Sequence, residues 1–338
     1  MNLPFQSTEG GQDAFPPFDL TGLKTYDLKS RPSKVFADDL GKPVEGDVTI
    51  SEWINSLPHQ LAGKSFRKVA NHLCRVAEQD KTAMAALGGH VIKTGCGPYL
   101  IDWVRRGVLT GVAMNGAAAI HDIELALAGK TSEDVNRQLP EGKFGMARDT
   151  ADVFAVAALS GAESGMGLGW ALGKFLDENN CTHPEESLVL SAYRAGAPCT
   201  VHVAMGTDIV HMHPHVSGSA LGEATMIDFR RLCTIISTME AGVWMNLGSA
   251  VLMPEVFVKA VSVVRNFGYS LDGMVTVNLD KQAQYRSRVN VLERPSDEGL
   301  ELIGHHELML PLLHATVAAQ IGQRAVTDTD EEQQAQAA

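Results

Sequence analysis

The chain has 338 residues, is 45% hydrophobic and 20% charged, and carries a formal net charge of −12. That is the composition of a soluble globular protein; the acidic balance argues against a nucleic-acid partner, and no apolar run reaches the roughly 18–20 residues of a membrane span. The five cysteines, Cys74, Cys96, Cys181, Cys199 and Cys233, are scattered and form no CxxC pair, which excludes a disulfide framework or a cysteine zinc site as the organising feature.

The opening MNLPFQSTEGG lacks the basic start and apolar core of a signal peptide, so the cytoplasm is the expected compartment. Residues 1–50 hold Pro4, Pro16, Pro17, Pro32 and Pro43 with little periodicity and read as an extended arm. Regular structure is expected from Ile50, with Ser51 as a helix cap. Phe66, Val69, Leu73 and Val76 recur at helical spacing and predict an amphipathic helix. Beyond it the chain alternates. TAMAAL (82–87) predicts a strand, Pro98 to Arg106 a helix, GVAMN (111–115) a strand, and IHDIELALAG a helix. Further helices are expected over 146–178 and 186–195, and a strand over Cys199–Met205. A long helix follows from about Glu223 to Ala241, then the strand GVWMNL and a helix opened by Pro254. A strand over Gly273–Leu279 and a last helix in ELMLPLLHATVAAQI complete the series. The rhythm predicts a doubly wound, mainly parallel α/β sheet with helices on both faces, Rossmann-like, spanning residues 51–326 as a single domain. The tail TDTDEEQQAQAA, with four acids and no base, reads as disordered.

Four segments share one design of strand, small or polar residues, then helix: GGHVIKTGCG (88–97), NGAAAIHD (115–122), GTDIVHMHPH (206–215) and NLGSAVLMPE (246–255). In an open parallel sheet such turns gather at the carboxyl rim. Their small residues and helix N-termini would suit a dinucleotide, although the usual GxGxxG fingerprint is missing. Asp122 is placed to accept from ribose hydroxyls, or else is a helix-start acid favoured by the dipole. His211, His213 and His215 alternate three residues after Asp208. They are open to three readings: histidines for proton transfer or substrate binding, a metal site, or a polar loop. His121, beside Asp122, is a second candidate for proton transfer.

The order of these loops resembles the deoxyhypusine synthase family and its bacterial relatives, which share an NAD-binding fold. HVIKTGCGPYLIDWVRRGVLTGVAMNGAAAIHDIELAL is similar to the family's first strand–turn–helix units, and the resemblance implies that Thr94, Gly95, Asn115, Gly116 and Asp122 contact NAD. APCTVHVAMGTDIVH resembles the segment whose acid holds a polyamine, here Asp208. GVWMNLGSAVLMPEVFVKA resembles the glycine-rich segment that carries the family's reactive lysine, which puts Gly248 and Ser249 beside the cofactor and Glu255 toward substrate. SLDGMVTVNLD is similar to the last strand on the NAD side, with Asp272 and Asn278 near the cofactor. Two departures stand out: Met253 occupies the lysine position, and the family's histidine falls near Gly196. Lys259 is the nearest base and is expected to pair with Glu255 at i, i+4.

Without that lysine the chain lacks the amine that traps an imine covalently. The resemblance then implies NAD-dependent removal of hydride next to an amine nitrogen, with Asp208 and His213 holding an amine substrate and His211 or His121 managing protons. The product would identify a transferase, a lyase or a dehydrogenase. The resemblance also implies a homotetramer. Two alternatives stand beside it: a metal-dependent hydrolase using His211, His213 and His215, and a non-catalytic NAD sensor.

Overall fold

The structure, a computed structural model, describes residues 17–337, with side chains described from 17 to 321; Pro4, Pro16 and the side chains of the acidic tail lie outside that range. The chain divides into two units, residues 1–39 and 40–338. In the first, the described residues hold two single-turn 3-10 helices, Leu28–Ser30 and Ala37–Asp39.

The second unit opens with α1 (Ile50–Ser56). Its cap is Thr49 rather than Ser51: Thr49 and Glu52 form a reciprocal capping box that satisfies two donors of the first turn. α2 (Leu61–Glu78) buries Phe66, Val69, Leu73 and Val76 as their spacing requires. The elements that follow are β1 (Ala83–Leu87), α3 (Gly89–Lys93), α4 (Gly97–Arg105), β2 (Gly111–Asn115), α5 (Gly116–Ala128), α6 (Val135–Gln138), α7 (Arg148–Glu163), α8 (Leu168–Glu178), α9 (Leu188–Arg194), β3 (Cys199–His202), α10 (Gly218–Ile236), β4 (Val243–Leu247), α11 (Leu252–Asn266), β5 (Val275–Asp280), α12 (Tyr285–Ser287), β6 (Glu298–Ile303) and α13 (His306–Ala337).

The six strands form one sheet in the order β3-β2-β1-β4-β5-β6, and every pairing is parallel. β1 and β4 are neighbours (Ala83 opposite Val243, Leu87 opposite Leu247), so the chain direction across the sheet reverses between them. Both faces are covered, which is why AMAAL reads as an unbroken apolar run and VWMNL as one broken only by Asn246. Ala83, Ala85 and Leu87 face one core with α2, α4, α5 and α13; Met84 and Ala86 face another with α10 and α11. The second core is centred on Trp244 stacked on Phe257 at 4.2 Å.

Two buried aspartates tie helices to this frame. Asp122 on α5 accepts from Ser187 Oγ (2.5 Å) and from the backbone N–H groups of Leu188 (2.7 Å) and Val189 (3.1 Å), so it caps the start of α9. Asp228 on α10 accepts from Gly169 N–H in the first turn of α8 and from Val201 N–H on β3, each at 2.8 Å. The second bond satisfies a donor on the outer edge of the sheet. A Cβ at Gly167, which sits at φ +79°, would overlap the Asp228 carboxylate.

Burial raises the pKa of Asp122 to about 6 and of Asp228 to about 7, against the lowering pull of these hydrogen bonds. The folded state therefore holds these protons more tightly than the unfolded chain. The stability they contribute is fullest below about pH 4 and is lost as pH rises through about 6 and about 7. Denaturant unfolding at about pH 4.5 and about pH 8 should show a smaller decline in the double variant Asp122→Asn/Asp228→Asn than in the wild type; an equal decline would contradict this.

Candidate functional site

Because every strand runs the same way, the turns after β1, β2, β3 and β4 share one rim, and their glycines show how closely they meet. A Cβ at Gly88, after β1, would overlap the carbonyl oxygen of Gly248, after β4. One added at Gly89 would sit 3.1 Å from both Ala117 Cβ and His121 Cδ2 on α5. One at Gly116, the first residue of α5, would overlap the Asp208 carboxylate. The four small-residue turns thus form one continuous line of contacts from β4 to the loop after β3.

At the β3 end of this line lies a cavity of about 240 Å³ whose lining includes Lys93, His121, Glu124, Glu133, Phe144 and Asp208. Asp208 reaches it from the single-turn 3-10 helix Ile209–Met212, whose start it caps. Its Oδ2 is buried and has no hydrogen-bond partner among the described residues. Burial raises its pKa, with nearby His211 pulling the other way. His211 Nδ1 accepts from the N–H groups of Gly206 and Asp208, both at 3.2 Å. His211 Nε2 is likewise buried without a partner among the described residues. A buried polar atom left unpaired is costly, and the Asp208–His211 loop holds two of them, an acceptor and a ring nitrogen.

Across the cavity, His121 Nδ1 lies 2.7 Å from Thr131 Oγ1, and that hydroxyl donates a short hydrogen bond to Glu124. Thr150 Oγ1 donates to the other Glu124 oxygen at 3.2 Å. Burial raises the Glu124 pKa, but nearby His121 and the bonds from Thr131 and Thr150 outweigh it and leave the carboxyl below its ordinary range. A second cavity of about 350 Å³ lies on the far side, and Glu124, Ser132 and Glu133 line both. Lys93 and Lys130 are outnumbered by Asp208, Glu124, Glu133 and Asp149 around the two spaces, which favours cationic ligands.

Several expected roles are corrected. Asp122 turns its carboxylate to α9 and is fully buried, so it is not free to bind ribose; the sequence does not reveal that α9 returns to α5. Asp272 lies in the turn before β5, where its carbonyl accepts from Ala241 N–H just ahead of β4. That is the amino end of the sheet, roughly 15–20 Å along a six-residue strand from the rim. Asn278 sits within β5 and is buried, accepting from Asn246 Nδ2 at 2.7 Å. Glu255 is engaged by Lys259, as expected, and also by Arg286 and by Asn290 Nδ2 at 2.9 Å, so it is a surface tie rather than a substrate ligand. The three histidines take different partners, although the His213 and His215 rings meet edge to face at 5.8 Å. His213 Nε2 lies 2.9 Å from the Gly145 carbonyl and His215 Nε2 2.9 Å from Asp152, while His211 turns to its own loop. No group of three or more metal-ligating side chains gathers among the described residues. Asn115 caps α5 by accepting from Ala118 N–H at 2.8 Å, and Thr94 bonds back to the His90 and Val91 carbonyls. Gly95, at φ +77°, has no atom against it. Thr131 and Glu133 were missed because they lie in a segment without apolar periodicity.

For a dinucleotide, the reversal between β1 and β4 is where open α/β sheets bind ligands. Gly88, Gly89, Gly248 and Ser249 meet there. Beside them, His306 Nδ1 is buried without a partner among the described residues, its ring 5.6 Å from that of His90. Small turns and an orphaned polar atom at the switch point fit such a group. Met253 does not stand in for a lysine at this rim. Its side chain is fully buried in the second core with Trp244 and Phe257.

No family model matches the sequence, and a search of curated proteins found no match. Solved structures share the fold. AgrE, solved as a ternary complex with ornithine and NAD+, superimposes with a TM-score of 0.53 at 15% identity, over 76% of this chain and 33% of that one. A conserved protein provisionally assigned as LOR/SDH from Methanococcus maripaludis S2 gives 0.50 at 17% identity, over 77% and 71%. A protein provisionally assigned as a deoxyhypusine synthase from Entamoeba histolytica gives 0.46 at 11% identity, over 82% and 96%. This chain spans about a third of AgrE, and at these identities the likeness concerns the fold alone. No helix among the described residues is long and apolar enough to cross a membrane.

Met253→Lys would place an ammonium in the Trp244–Phe257 core and should cost about 3 kcal/mol of stability or more. Calorimetry and borohydride trapping check this: the variant should melt earlier and form no trapped adduct with a carbonyl compound. Unchanged melting together with an adduct at residue 253 would contradict the placement.

Proposed function

We propose that this chain is an NAD-dependent enzyme that takes hydride from a carbon bearing an amine nitrogen and leaves an imine. The observation that carries the reading is the buried, unpartnered Oδ2 of Asp208, a residue that lines an acid-rich cavity together with His121. A substrate ammonium would supply both the missing hydrogen-bond donor and the missing positive charge. The loop resemblance to the deoxyhypusine synthase family, and the fold shared with a protein solved with ornithine and NAD+, support the cofactor and the substrate class.

In this reading Gly88, Gly89, Gly248 and Ser249 hold NAD, which supplies the hydride acceptor when bound. Asp208 anchors the substrate nitrogen, and Gly116 leaves room for its carboxylate against α5. An ammonium has no lone pair, so it must lose a proton before its neighbouring carbon can give up hydride. His121 takes that proton. The product is an iminium, open to attack by an amine or by water. Trapping on an enzyme lysine at position 253 has no part in this reading, because Met253 is core.

Protein purified under native conditions and then denatured should release NAD; a stoichiometric metal without NAD would instead favour hydrolysis. Asp208→Asn should weaken amine binding by about tenfold or more, as expected on losing a charge-assisted bond, and leave NAD retention unchanged, measured by calorimetric titration. Loss of both would mean that the pocket is misplaced. NAD retention with no turnover of any amine would favour the sensor reading.

A further inference from the structure

The contacts of His121 determine which of its nitrogens carries the proton. Thr131 has one hydroxyl hydrogen, and it goes to the Glu124 carboxylate, which can only accept. With that hydrogen committed, Thr131 Oγ1 faces His121 Nδ1 at 2.7 Å as an acceptor, so Nδ1 must be the protonated nitrogen. A neutral imidazole carries one N–H, which leaves the lone pair on Nε2. Thr150 holds the far oxygen of Glu124 at 3.2 Å and so fixes the carboxylate from behind.

We infer that Glu124 and Thr131 are a positioning pair that holds His121 as its Nδ1–H tautomer, with Nε2 as the base of the cavity it shares with Asp208. The inference rests on the proposed amine chemistry for its purpose, but the tautomer itself follows from the hydrogen bonds alone. The step balances simply. The substrate N–H bond breaks, its electron pair stays on nitrogen, and the proton forms a bond to Nε2. The resulting imidazolium keeps its Nδ1–H on Thr131, and the Glu124 carboxylate, 3.8 Å from Nδ1, offsets the new charge. The logic is that of a base oriented by a third group. The same reasoning gives His211 the opposite role: its Nδ1 accepts two backbone N–H bonds, so its proton sits on Nε2 and it serves as a donor.

The test is nitrogen-15 NMR of histidine-labelled full-length protein, with no substrate or cofactor added, at a pH where the ring is neutral. His121→Asn assigns the resonance. In the wild type, His121 should show a protonated Nδ1 and an unprotonated Nε2. Thr131→Val, similar in shape but without a hydroxyl, should lose that preference, and Thr131→Ser should restore it. A protonated Nε2 in the wild type, or an unchanged tautomer in Thr131→Val, would overturn the inference. With an amine substrate, Thr131→Val should lower kcat about tenfold or more and leave KM unchanged, a loss in the range of general-base effects. Because the NMR measurement needs neither amine nor NAD, a failure of the proposed reaction and a failure of this inference are told apart.

Discussion

The rim depends on one constraint, the placing of β1 between β2 and β4 with all three parallel. Parallel pairing requires a crossover after each strand, and each crossover returns the chain to the same end of the sheet. The turns that leave β1, β2, β3 and β4 are therefore neighbours although they are far apart in sequence. Gly88, Gly89 and Gly116 are small because these turns touch: side chains there would overlap Gly248 or Asp208 or press on Ala117. The glycines are first a packing requirement.

On that rim the structure treats its acids in two ways. Asp122 and Asp228 are buried with their carboxylates turned to helix starts and a strand edge, where backbone N–H groups offset part of their desolvation. Asp208 is mostly buried too, yet one of its oxygens has no compensating donor among the described residues. Asp228 Oδ1 also lacks a hydrogen bond among the described residues, but Arg231 stands 3.7 Å from it; Asp208 differs in lining a cavity, which makes it the candidate. Glu124 falls between these cases. It is satisfied by Thr131 and Thr150, and its purpose is read through the histidine that it orients.

The scaffold was legible in the sequence where local pattern decides structure. AMAAL, GVAMN and VWMNL are short runs, apolar but for Asn115 and Asn246, between turn residues, and all three are strands. The doubly wound fold follows from their alternation with helices. β6 was missed because EGLELI alternates glutamate and glycine with leucine, as an edge strand with partly exposed positions does. The strand expected to run to Met205 ends at His202, since the chain must leave the sheet there to bring Asp208 across to α5.

The site was legible only in part, because side-chain direction depends on partners distant in sequence. Asp208 and His121 were singled out from their place after strands, and both line one cavity. Asp122 stands next to His121, but one helical step of about 100° turns it toward α9 instead of the cavity. The period-two spacing of His211, His213 and His215 would converge on a strand; a 3-10 turn at Ile209–Met212 sends the rings to different partners. Thr131 was invisible, since its role exists only where the chain brings it between His121 and Glu124.

The most direct test of the account is a crystal structure of the protein with NAD and a small primary amine. The amine nitrogen should lie at about 2.7–3.2 Å from Asp208 Oδ2, with NAD along the Gly88–Gly248 turns. An amine bound elsewhere, or NAD away from the β1–β4 rim, would contradict it.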